Sequence, residues 1–173
     1  MPLGTHSTSK GRTTQKSRGK AQKPMDALKL LKNDHDEVAA MFKQFFKMKK
    51  DGAQKGELIE QICTALTVHS EIEEEIFYPA CRDALGEDGE MVMDEAEVEH
   101  ASLKNLIEQL EDADADDEMT AAKVKVLCEY VTHHVKEEEG TMFPKVKKAD
   151  LDLDELGAEL MERKQELMAE EGE

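Results

Sequence analysis

Apolar residues recur along this chain at steps of three and four, the period of a helix with one buried face. Leu28, Leu31, Val38, Phe42 and Phe45 predict a first helix over about 25–50, ended by Asp51-Gly52. Ile62, Leu66 and Ile76 predict a second over about 56–84. Pro79 removes a backbone donor there and is expected to kink or end it. Leu85-Gly86-Glu87-Asp88-Gly89 reads as a turn. Met93, Ala96, Leu103, Ile107 and Leu110 predict a third helix over about 90–112. The acidic run Asp112 to Glu118 reads as a solvated loop able to cap the next helix. Leu127 and Val131 belong to that fourth helix, about 119–148. Leu153, Leu156, Leu160 and Leu167 mark a short amphipathic helix, about 152–170, packed on the bundle or on a partner chain.

Polar residues interrupt these apolar stripes at regular places. His35 lies in the first stripe, His69 and Glu73 in the second, His100 in the third, and His134 and Glu138 in the fourth. Each of His100, His134 and Glu138 stands 65 positions after His35, His69 and Glu73, and Pro144 stands 65 after Pro79. Val38 and Leu103, Met41 and Leu106, Phe42 and Ile107, and Phe45 and Leu110 keep the same offset. Two matched helical hairpins with short loops predict an all-α fold: an antiparallel four-helix bundle with approximate two-fold internal repeat, plus a C-terminal helix. The bundle is expected over 25–148 and the C-terminal helix within 149–173.

Composition agrees with helix. Aromatics make up 4% of the 173 residues, Trp is absent, and Ala, Leu, Glu, Lys and Met are plentiful. The net charge of −17 is unevenly spread. Six of the 23 Lys and Arg fall in residues 1–24, which contain no acid, so the other 17 face all 40 carboxylates. Residues 1–24 have too little apolar surface to offset chain entropy and read as a disordered basic tail. That tail is the one place where weak nucleic-acid contact is expected, because the acidic body repels phosphate. No apolar run is long enough for a membrane span or a signal peptide, so a cytoplasmic location is expected, with no membrane partner. Cys63, Cys81 and Cys128 form no C-x-x-C pair, which argues against a thiolate metal site.

The interrupted stripes carry the chemistry. Residues four apart on a helix are displaced about 6 Å along the axis and about 40° around it. His69 with Glu73, and His134 with Glu138, therefore project from one face toward one place. Burying four imidazoles and two carboxylates without a metal would leave several costly polar groups. Imidazole with carboxylate suits iron, zinc or manganese. Six ligands exceed a four-coordinate zinc site and suit two ions, with both glutamates bridging and positions left open for a small molecule. His133 and Glu137 share the four-residue spacing, but the 65-residue offset selects His134 and Glu138. Glu74, Glu75, Glu137 and Glu139 read as solvated faces. Tyr130, one turn before His134, reads as packing, and Cys63 and Cys128 as core.

At these residues the chain resembles the hemerythrin-like, or HHE cation-binding, family. The matching residues are His35 in Asn-Asp-His-Asp, His69 and Glu73 before Phe77-Tyr78-Pro79, His100 in Glu-Val-Glu-His, and His134 and Glu138 before Phe143-Pro144. The resemblance covers about 25–148. It implies a non-haem di-iron centre, oxo- or hydroxo-bridged, with zinc or manganese less favoured. It also implies a small diatomic or peroxide ligand. Two departures matter. The oxygen-carrying hemerythrins have a further His where this chain has Lys104. Their last carboxylate is an Asp five residues after its His, whereas Glu138 comes four after. Both argue against simple oxygen carriage. The expectation is a protein that binds or senses oxygen or a related oxidant. The rivals are a redox enzyme consuming peroxide or nitric oxide or repairing iron centres, and a metal-dependent interaction module.

Overall fold

A computed structural model describes residues 25–49 and 52–171. The expected basic tail, 1–24, lies outside the described residues. The architecture is all-α: four long antiparallel helical rods and a C-terminal helix packed against the first two. Helix α1 is Ala27–Lys47 and α2 is Gly52–Ile72. A π-helical turn, Glu73–Phe77, continues α2 into α3, Tyr78–Leu85. Helix α4 is Glu87–Glu111 and α5 is Glu118–Glu137. A second π turn, Glu138–Met142, leads into the short α6, Phe143–Val146, and α7 is Leu153–Glu171.

Local chemistry sets the boundaries. Asp26 caps α1 by accepting the Lys29 amide at 3.0 Å, and Asp117 of the acidic loop caps α5 by accepting that of Met119. Asp152 caps α7 by accepting from Asp154 and Glu155. The turn expected over five residues is a single residue. Gly86, with φ of 56°, ends α3 while α4 begins at Glu87, a conformation that glycine adopts without a Cβ penalty.

Pro79 does not stop or break the second rod. The helix widens before it, so that the Tyr78 amide reaches the Glu73 carbonyl, five residues back. This accommodates a proline that lacks an amide and would crowd an ordinary turn. Pro144 is met in the same way, the Phe143 amide reaching the Glu138 carbonyl.

Two apolar layers fill the bundle. One contains Val38, Phe42, Leu66, Leu103, Ile107, Leu127 and Val131. The other contains Leu31, Ile72, Phe77, Met93, Met142 and Phe143, and α7 adds Leu156, Leu160 and Leu167 to it. Helix α7 therefore packs on the bundle itself. Gly157 lets it approach the start of α1: a Cβ there would collide with the Met25 carbonyl oxygen and lie 2.7 Å from the Ala27 nitrogen. The six sequence-predicted His and Glu residues lie between the two layers, all buried.

Candidate metal centre

Each hairpin contributes two facing imidazoles. His35 on α1 and His69 on α2 bring their Nε2 atoms to 3.1 Å, and His100 on α4 and His134 on α5 bring theirs to 3.0 Å. Two donors about 2.1 Å from one ion, set at right angles around it, are themselves about 3.0 Å apart. The glutamates lie between the pairs. Glu73 Oε1 is 3.3 Å from His69 Nε2 while its Oε2 is 3.4 Å from His100 Nε2. Glu138 Oε2 is 3.2 Å from His35 Nε2 and 3.6 Å from His134 Nε2. His35, His69, Glu73 and Glu138 form one group whose ligand atoms lie within 4.8 Å of one another, and Glu73, His100 and His134 form a second.

An outer ring of carboxylates fixes the imidazoles. Each Nδ1 faces a carboxylate oxygen: His35 to Glu139 at 3.0 Å, His100 to Glu74 at 2.9 Å, His134 to Glu99 at 2.7 Å and His69 to Asp34 at 3.4 Å. An ionised carboxylate only accepts, so each Nδ1 carries a hydrogen and each Nε2 points inward, its lone pair free for a cation once that nitrogen gives up its proton. The outer ring repeats as the inner one does: Glu99 follows Asp34, and Glu139 follows Glu74, by 65 residues. Glu74 and Glu139 are thus not the solvated residues the sequence suggested. Glu75 is exposed and pairs with Arg163. Asp34 and Glu99 were not anticipated, though the offset that found the ligands also finds them.

One inner residue breaks the symmetry. The Tyr78 hydroxyl donates to Glu138 Oε1 at 2.9 Å and also lies 3.3 Å from Glu73 Oε2 and from His100 Nε2. Its counterpart 65 positions on is Phe143, whose ring stacks 6.0 Å from that of His35. Burial and the two carboxylates push the Tyr78 phenol far up, which keeps it a neutral donor. Tyr130, by contrast, is half exposed and outside the ring. His133 is exposed, with Nε2 3.3 Å from Glu99. Lys104 pairs with Glu74 at 2.7 Å.

Electrostatics keep the ring ionised. Burial alone would lower His35 and His100, but the carboxylates beside them (Glu138 and Glu73 for His35, Glu73 and Glu74 for His100) outweigh it and raise each to about 9. Burial would raise Glu138; His35, His134 and His69 hold it below the usual carboxylate range. Even so, two oxygens have no hydrogen-bond partner: Glu73 Oε1 and Glu138 Oε2, both fully buried. A bare buried carboxylate oxygen is costly. The position of these two, among four inward Nε2 atoms, fits cations.

A helical bundle with such a His and Glu cluster defines a cation-binding class. Residues 26–146 match the model of the hemerythrin HHE cation binding domain, and the chain belongs to that family. A DNA nickase of Nostoc sp. (strain PCC 7120) is 29% identical over 132 residues, 76% of this chain. The chain spans only 36% of that relative's length. A crystal structure of an HHE cation-binding-domain protein from Mycobacterium kansasii, an Rv2633c homolog, superposes with a TM-score of 0.72 at 21% identity. It covers 84% of this chain and 89% of that one. Among the described residues no helix is long and apolar enough to cross a membrane.

Proposed function

We propose that this chain is a cytoplasmic di-iron protein that binds or senses oxygen or a related small oxidant. His35 and His69 would hold one ion and His100 and His134 the other, with Glu73 and Glu138 placed to serve both. The observation that carries this reading is the pair of buried, partnerless oxygens: Glu138 Oε2, set between His35 and His134 of the two hairpins, and Glu73 Oε1 beside His69, on a carboxylate whose other oxygen lies beside His100. Bound iron would supply one-electron redox chemistry toward a small oxidant.

The protein's own part is to hold, size and keep dry. Asp34, Glu74, Glu99 and Glu139 hold the four imidazoles in the tautomer that ligates. Tyr78, a neutral donor, holds Glu138 through its hydroxyl. A cavity of about 10 Å³ borders the four imidazoles and is lined also by Val38, Leu66, Leu103 and Val131. That is room for one water-sized molecule, which favours a diatomic or a peroxide over any larger substrate.

A second reading takes its motive from the Nostoc relative named a DNA nickase. Two ions could serve phosphodiester hydrolysis. The small volume of the cavity and the net charge of −17 weigh against a DNA strand reaching the centre. Nicking of a supercoiled plasmid by the iron-loaded chain, with loss in H134A, would favour this second reading.

The primary test is metal analysis with an optical spectrum of protein from iron-rich cells. About two irons per chain, with an absorption that changes on adding azide, are expected. No iron uptake on anaerobic reconstitution would sink the reading. Peroxide or nitric oxide consumed over many turnovers, in place of one stoichiometric change, would make the protein a catalyst.

A further inference from the structure

We propose that Lys164 of the C-terminal helix is a positioning residue for the metal centre, so that α7 supports one ion and not the other. The inference rests on the two-ion reading above. Four carboxylates orient the four imidazoles, and each has a basic partner behind it. Glu139 has Lys32 at 3.3 Å, Glu74 has Lys104 at 2.7 Å, and Glu99 has His133 at 3.3 Å. Those three partners come from the two repeated hairpins and are 39–62% exposed, against 25% for Lys164. Asp34 is different. Its side chain is 9% exposed against 22–30% for the others, and its partner is Lys164, with Nζ 2.6 Å from Oδ1. The other Asp34 oxygen, Oδ2, faces His69 Nδ1 at 3.4 Å.

The chain of contacts is therefore Lys164, Asp34, His69. The link from Asp34 to His69 is the longest of the four carboxylate–imidazole contacts, so the carboxylate's orientation matters most there. A buried carboxylate stripped of its cation turns toward solvent. The His69 ring then loses what holds its tautomer and angle. The neighbouring Arg163 grips Glu75, two residues past Glu73, with Nε 2.7 Å from Oε2. Leu156, Leu160 and Leu167 seat the helix so that both cations reach their targets.

The consequence is an inequivalence that the ligands themselves do not have. The pair His35 and His69 depends on a segment outside the internal repeat. Glu74 and Glu99, the outer carboxylates of the pair His100 and His134, take their basic partners Lys104 and His133 from the hairpins themselves.

The experiment uses the full chain, loaded anaerobically with ferrous iron and challenged with excess chelator. In K164M one of the two ions should leave about 10–100-fold faster than from wild type, the usual effect of losing an outer partner, while the other leaves at its wild-type rate. K164R, which keeps the charge, should stay near wild type. R163A, which removes only the neighbouring grip on Glu75 while Leu156, Leu160 and Leu167 keep α7 seated, should also stay near wild type. K164M should add nothing to the metal loss of H69A, because both changes act through one ring. Circular dichroism of every variant checks that the helices persist. Equal acceleration of both ions, no acceleration, or the same behaviour in R163A or K164R as in K164M overturns the proposal. A wild-type chain that takes up no iron overturns the two-ion reading instead.

Discussion

The Tyr78 hydroxyl reaches across the bundle to Glu138, 60 residues later, at 2.9 Å. It ties the first hairpin to a carboxylate of the second, and no equivalent runs the other way because Phe143 fills the matching position. In Y78F the metal-free protein should lose about 1–3 kcal/mol, since a buried Glu138 oxygen loses its donor. Urea melts of apo wild type and variant measure this. A change within about 0.3 kcal/mol would mean that Tyr78 merely fills space.

Glu138 lies between His35 and His134 and thus between the two hairpins. Glu138→Ala should remove both ions, because a shared carboxylate serves both. Metal counting on the purified variant decides the matter: retention of one full equivalent would show that Glu138 serves a single ion.

His35 and His100, raised to about 9 by neighbouring carboxylates in the metal-free chain, fall back to about 6.5 when it unfolds. A raised pKa means that the folded state binds the proton more tightly. The stabilisation is complete below pH 6.5 and is lost as pH rises toward 9. The melting temperature of the apo protein should fall over that window, all other groups being equal. Metal binding should release protons over the same window and tighten with pH. A melting temperature that instead climbs steadily from pH 6.5 to 9 would contradict the pairing.

Leu160 is fully buried where α7 packs on the bundle. Leu160→Ala should cost about 2–5 kcal/mol through lost burial and the cavity left behind. Denaturant melts monitored by circular dichroism give the number. A loss below about 1 kcal/mol would mean that α7 is only loosely attached.

The helical bundle was legible because its apolar stripes keep the α period over long stretches. The inner His and Glu ring was legible because its buried positions repeat with one spacing. Tyr78 was not. In an ordinary α-helix a residue five positions past Glu73 is turned about 140° off its face, so a reading at α period faces Ile76 inward and leaves Tyr78 unremarked. The π turn brings Tyr78 round, and Ile76 is only half buried. Asp34, Glu74, Glu99 and Glu139 look like ordinary surface acids locally. Each touches an imidazole on a different helix, 26 to 104 residues away. Lys164 has no counterpart in the repeat, so the offset could not point to it.

The two π turns put a limit on length as well as on identity. Each is one residue richer than the helical turn it replaces, and each opens on a glutamate of the ring. Removing a single residue between Glu73 and Pro79 would restore the ordinary pitch. It would leave every side chain of the ring present and Tyr78 on the same face, four residues past Glu73, but Pro79 would then meet an ordinary turn that its ring crowds. An exposed residue such as Glu75 can therefore tolerate many replacements and still be indispensable as a link in the count.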